Sequence, residues 1–79
     1  MNKKRDQNRL TKIGERIRYV RENIAKISQD KLVSNCDVTK GNLSMIENGR
    51  KDFTITTLLE IAKGMEVHPK RLLDFDFEE

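Results

Sequence analysis

The sequence predicts an all-α fold, a small domain of five helices, and three observations carry that reading. Apolar residues recur at spacings of three and four in successive segments, which places them on one stripe of a helix. Ser28, Thr39, Thr54 and Pro69 stand where such stripes begin, and all four suit helix starts. The hydroxyls accept hydrogen bonds from the free N–H groups of a first turn, and proline lacks an N–H where none is needed. No stretch reads as a strand, a repeat or a low-complexity linker.

The elements follow in order. Residues 1–8 are polar and charged without apolar periodicity, so a flexible basic arm is expected there. The first helix is expected over residues 9–25, with Leu10, Ile13, Ile17, Val20 and Ile24 on its buried stripe. Ser28 opens the second helix, whose Leu32, Val33 and Cys36 keep helical spacing. Asp37 and Val38 make a turn, and Thr39 caps a third helix with Leu43 and Ile46 pointing inward. Gly49 is suited to a left-handed C-terminal cap for that helix. Thr54 caps a fourth helix, for which Ile55, Leu58, Leu59, Ala62 and Met65 are read as the buried face. Pro69 opens the fifth. The helical domain is thus expected over residues 9–73, followed by an acidic tail over 74–79.

Seventy-nine residues allow one domain with a small core. Hydrophobic residues make up 35% and charged residues 37%, so dense helix packing or dimerisation has to supply the stability. The single cysteine, Cys36, has no intrachain partner, which fits a reducing, cytoplasmic setting. No apolar run is long enough for a membrane span or a secretory signal. The formal net charge of +3 is unevenly spread: Lys3, Lys4, Arg5 and Arg9 gather at the start, and Asp74, Asp76, Glu78 and Glu79 at the end. A basic body with an acidic tail suits a nucleic-acid binder whose binding face and tail lie apart.

The segment SQDKLVSNCDVTKGNLSMIENG (residues 28–49) is the most informative. Two short helices joined by so tight a turn leave the second free to enter a groove, which is the geometry of a DNA-binding helix-turn-helix. With Leu43 and Ile46 inward, Lys40, Gly41, Ser44 and Met45 fall on the outward side, flanked by Thr39 and Asn42. Lys40 is suited to donate to guanine O6 and N7, Ser44 to bond a base or a phosphate, and Met45 to pack on a thymine methyl. Gln29, at the start of the second helix, is placed to meet a phosphate. Asn48, Arg50 and Lys51 follow the third helix and are placed to grip the next phosphates. The alternative for each is an ordinary solvated side chain, or for Asn48 a turn residue. Lys3–Arg5 either lie along a neighbouring groove or serve as a solubilising arm.

These residues resemble the Cro/lambda-repressor-like (Xre-type) helix-turn-helix family. The likeness begins with IGERIRYVRE (13–22), continues through SQDKLV and VTKGNLSMIENGRK, and runs into TITTLLEIAKGMEVHPKRLL (54–73). It implies a compact five-helix lambda-repressor-like DNA-binding domain, with helices two and three as the motif. It also implies that positions matching Lys40, Gly41, Ser44 and Met45 supply most base contacts, and it points to Gln29 as a phosphate contact. Arg21 and Glu47 match positions that form a largely buried ion pair in the family. The chain departs from the family pattern in three places. One extra residue lies between Arg21 and Ser28, without the usual glycine. Asp37 stands where the turn commonly has glycine. Gly41 has no side chain with which to read a base. Within the family, the chain resembles phage repressors and restriction–modification controller proteins.

A homodimer on a roughly palindromic duplex is expected, because one short helix reads only a few base pairs. Val67, Leu72, Leu73, Phe75 and Phe77 are the candidate interface, being apolar beyond what the core obviously needs. Alternatively, the leucines close the core. An enzyme is not expected: the one histidine, His68, precedes Pro69, and no metal-ligand spacing or nucleophile–base pair is present. No cofactor or metal is expected either. The rival reading is an antitoxin or protein adaptor, whose main partner would be another protein.

Overall fold

The computed structural model describes residues 3–76, and for residues 3–5 only the backbone. Phe77 and the end of the acidic tail lie outside the described residues, as do the first two residues and the side chains of Lys3, Lys4 and Arg5. Among the described residues there are four α-helices: α1 (Lys3–Tyr19), α2 (Gln29–Ser34), α3 (Lys40–Glu47) and α4 (Ile55–Met65). Instead of a fifth α-helix, the chain forms one short 3-10 helix, Pro69–Leu73, capped by His68 Nδ1, which accepts from the Lys70 N–H at 3.1 Å.

Ser28, Thr39 and Thr54 each cap a helix. Their hydroxyls accept from the N–H groups of Lys31, Asn42 and Thr57 at 3.0, 3.2 and 3.2 Å. The core draws Ile17 and Val20 from the first helical segment, Leu32 from α2, Leu43 and Ile46 from α3, Leu58, Ile61, Ala62 and Met65 from α4, and Leu72 from the 3-10 turn. α1 lies across α3, while α2 packs on both α3 and α4, so the helix-turn-helix rests on a scaffold at either side.

Three expectations are corrected. α1 begins at Lys3, not at residue 9, so residues 3–8 are helical where a flexible arm was expected. A long-range contact holds that turn: Gln7 Nε2 donates to the Gly49 carbonyl at 2.8 Å, a partner that local periodicity does not reveal. Next, the end of the first helix is wound as a π-helix over Val20–Ala25 and closes on Lys26, whose φ of 57° is left-handed. A π turn is how a helix absorbs one inserted residue, and the extra residue before Ser28 is taken up there, with Lys26 doing what a glycine would do more cheaply. The wider turn brings Ala25 and then Ile27 onto the core and leaves Ile24 at the surface. Finally, Ile55 and Leu59 of α4 are 64% and 46% exposed. Leu58, Ile61, Ala62 and Met65 form the buried stripe instead, and Ile55 and Leu59 form a second apolar edge beside it.

Candidate nucleic-acid interface

α3 presents its outward edge as the sequence pattern requires. Leu43, Ile46 and Glu47 are buried, so Lys40, Gly41 and Met45 are left exposed, with Ser44 and Asn42 half-buried beside them and Thr39 at the cap. The space beyond Gly41 is open: a Cβ built there meets nothing within 4 Å. The helix ends in a full Schellman cap. Gly49, at φ 69°, donates to Ile46 O at 3.0 Å, and Arg50 N–H donates to Met45 O at 2.9 Å. That cap turns Arg50 out at the exposed end of the same surface.

A buried charged network holds α3 to the scaffold. Arg21 Nε donates to Glu47 Oε2 at 2.7 Å and its Nη2 to Oε1 at 3.1 Å, a two-pronged pair. The third guanidinium nitrogen donates to Ile27 O at 3.0 Å, which ties in the π-wound end. Gln29 Nε2 completes the carboxylate shell at 2.9 Å. The hydrogen bond to Glu47 raises the Arg21 pKa above its ordinary value against the opposing cost of burial. Every buried side-chain N or O among the described residues has a partner, so the pair is desolvated but satisfied.

The remaining candidates fall into groups. Lys40 Nζ lies 3.1 Å from Asp30 Oδ1, bridging the first turns of α2 and α3. Lys51 does not stand alone after α3, because its ammonium donates to Asn42 Oδ1 at 2.7 Å. Asn48 donates its side-chain amide back to Ser44 O at 2.9 Å. Gln29 is half-buried, and its side-chain amide gives one hydrogen bond to Glu47 at the start of α2. Leu72 is fully buried and closes the fold, so it offers no interface, whereas Val67 packs against the core and stays partly exposed. Leu73 is 37% exposed and Phe75 is half-buried.

Sequence reasoning missed three contributors. Gly14 lies where α1 meets the end of α3; a Cβ there would collide with the Ile46 carbonyl oxygen and lie 2.9 Å from Glu47 O. The IGER segment contained that signal, since an unexplained glycine inside a helix argues for close packing. Asp30, in the first turn of α2, faces Lys40 across the motif. Glu60 pins the turn between α2 and α3, its Oε1 accepting from the Asp37 N–H at 2.9 Å. Asp37 is not among the residues with positive φ, so the turn works without the family's glycine. Cys36, in the same turn, is partly buried, and that burial pushes its thiol pKa up. Among the described residues no group of three His, Cys, Asp or Glu side chains is arranged to hold a metal, and no helix is long and apolar enough to cross a membrane.

Comparison with known proteins agrees with this architecture. Residues 14–74 match the family model described as "Helix-turn-helix domain". Control protein C.BamHI of Bacillus amyloliquefaciens is 36% identical over 62 residues, covering 78% of this chain and 76% of its own length. The crystal structure of the restriction-modification controller protein C.AhdI from Aeromonas hydrophila shares the fold, with a TM-score of 0.72. It covers 80% of this chain and 94% of its own at 24% identity. The chain therefore belongs to the helix-turn-helix domain family, as a Cro/lambda-repressor-like (Xre-type) member.

Proposed function

We propose that this chain is a sequence-specific double-stranded DNA-binding transcriptional regulator of the controller type, acting in the cytoplasm as a homodimer on a roughly palindromic operator. The observation that carries the reading is the α3 edge. Its outward residues are polar or adaptable and clear of the core, and the Arg21–Glu47 pair fixes its angle from beneath. In the major groove, Lys40 donates to guanine, Ser44 bonds a base or phosphate, and Met45 packs on a thymine methyl, with Thr39 and Asn42 beside them. Gly41 allows the helix backbone to approach closely. Arg50 meets the phosphates past the end of the helix, Asn48 and Lys51 support it, and the start of α2 at Gln29 meets the flanking strand.

The proposed homodimer surface keeps Leu73 and Phe75 from the residues the sequence suggested and adds Phe53, Ile55 and Leu59, while Leu72 belongs to the core. Ile55 and Leu73 are exposed and line a shallow apolar groove with Phe53 and Phe75, and exposed Leu59 lies one turn beyond Ile55 on α4. A second copy is proposed to cover that surface, and the operator is then expected to carry two half-sites about 34 Å or a multiple apart along the duplex. Sequencing of duplexes captured from a random DNA pool tests the proposal. A two-fold symmetric motif with that spacing is expected, and no enrichment by folded protein would refute it.

A further inference from the structure

We propose that Asp30 is a positioning residue that sets how selectively the domain reads DNA, by holding the Lys40 ammonium toward the base edges and away from the phosphates. This rests on the DNA-binding reading above. Two placements need a reason. Lys40 is the first residue of α3, where a cation has the wrong sign for the positive end of the helix dipole. Asp30, in the first turn of α2, suits the dipole of its own helix, but its side chain is 75% exposed and puts a negative charge on the surface offered to a polyanion. Neither choice maximises affinity, and their 3.1 Å contact joins them.

The chemistry of the ammonium turns this pair into a selectivity device. Lys40 has three donor protons and no acceptor. With one proton directed to Asp30, the other two are free for acceptors in a restricted direction, and guanine offers O6 and N7 side by side. On a specific site Lys40 therefore keeps its carboxylate while bonding the base. A phosphate competes with Asp30 for the same positive charge. Serving it either strips the carboxylate of its partner or brings two anions together, so contacts to phosphate alone are penalised more. Non-specific binding, which consists of such contacts, suffers most.

Asp30→Asn keeps the shape and an acceptor oxygen but removes the charge. The test compares wild type and Asp30→Asn on the selected duplex and on a scrambled duplex of equal length, across a salt series. For the scrambled duplex, affinity is expected to rise about fivefold at about 0.15 M salt, with a salt slope steeper by about one unit. Affinity for the selected duplex is expected to rise less than about twofold, so the ratio of the two falls. In a Lys40→Met background the same substitution should leave the ratio unchanged. Equal gains on both duplexes, no gain on either, or a falling ratio in the Lys40→Met background would each overturn the proposal. Wild-type protein that fails to distinguish the two duplexes would overturn the DNA-binding reading and this proposal with it, whereas a discriminating wild type with an unchanged variant overturns this proposal alone.

Discussion

Glu47→Ala removes a carboxylate whose side chain is 2% exposed and which accepts three hydrogen bonds, two from Arg21 and one from Gln29. Breaking one partner of a buried ion pair costs about 3–5 kcal/mol, because the other charge stays buried and unpaired. Arg21 retains its bond to Ile27 O at 3.0 Å and a contact with Glu22 at 3.5 Å, which puts Glu47→Ala near the lower end, about 3 kcal/mol. Arg21→Ala leaves Glu47 with Gln29 alone and belongs near the upper end, about 5 kcal/mol. A domain of this size has roughly 4–12 kcal/mol in total, and each kcal/mol moves Tm by about 4–8 °C. Glu47→Ala should therefore lower Tm by about 12–24 °C. Thermal and urea unfolding followed by circular dichroism measure this on both single variants and on the double variant. The double variant should cost little more than the worse single one, since the pair is lost only once. Losses below about 1 kcal/mol, typical of exposed pairs, or strictly additive losses would refute the buried network as the support of α3.

Gly14→Ala should destabilise by about 1–3 kcal/mol, although alanine is the better helix former, because the obstructing atoms are backbone oxygens of α3 that cannot swing aside; urea unfolding checks it, and a gain in stability would disprove the close approach. Lys26→Gly should stabilise by about 1 kcal/mol by relieving the left-handed backbone at φ 57°, as read in the same assay, and a loss would argue against that conformation. Leu59→Glu should leave the monomer folded, since the side chain is already 46% exposed, but should shift sedimentation toward the monomer and weaken operator binding. A variant that still sediments as a dimer would place the interface elsewhere.

How much was legible in the sequence follows from how local each cause is. Ser28, Thr39 and Thr54 announced three helix starts because a capping hydroxyl acts within three residues of itself. Gly49 announced an end for the same kind of reason: the left-handed cap requires a residue without the Cβ penalty. The outward edge of α3 followed from Leu43 and Ile46 once the helix was placed. What escaped depends on distant partners. The early start of α1 relies on Gln7 meeting Gly49, 42 residues away. Ile55 and Leu59 form an apolar stripe as regular as the buried one, and only the assembled fold shows which stripe the core takes. The turn at Asp37 is held by Glu60 of α4, so the missing glycine was no guide to its geometry. The π turn was visible only as one surplus residue whose resolution waited on the packing around Arg21 and Ile27.

If α3 reads bases, Lys40 is the side chain that carries most of that reading. The most direct test is the affinity of Lys40→Ala for the selected operator and for a scrambled duplex of the same length, measured side by side at one salt concentration. Lys40→Ala should lose about tenfold or more on the operator, as expected for a base contact of about 1–3 kcal/mol, and much less on the scrambled duplex. Equal losses on both would show that Lys40 touches only phosphate, and would contradict the assignment of this edge as the reading surface.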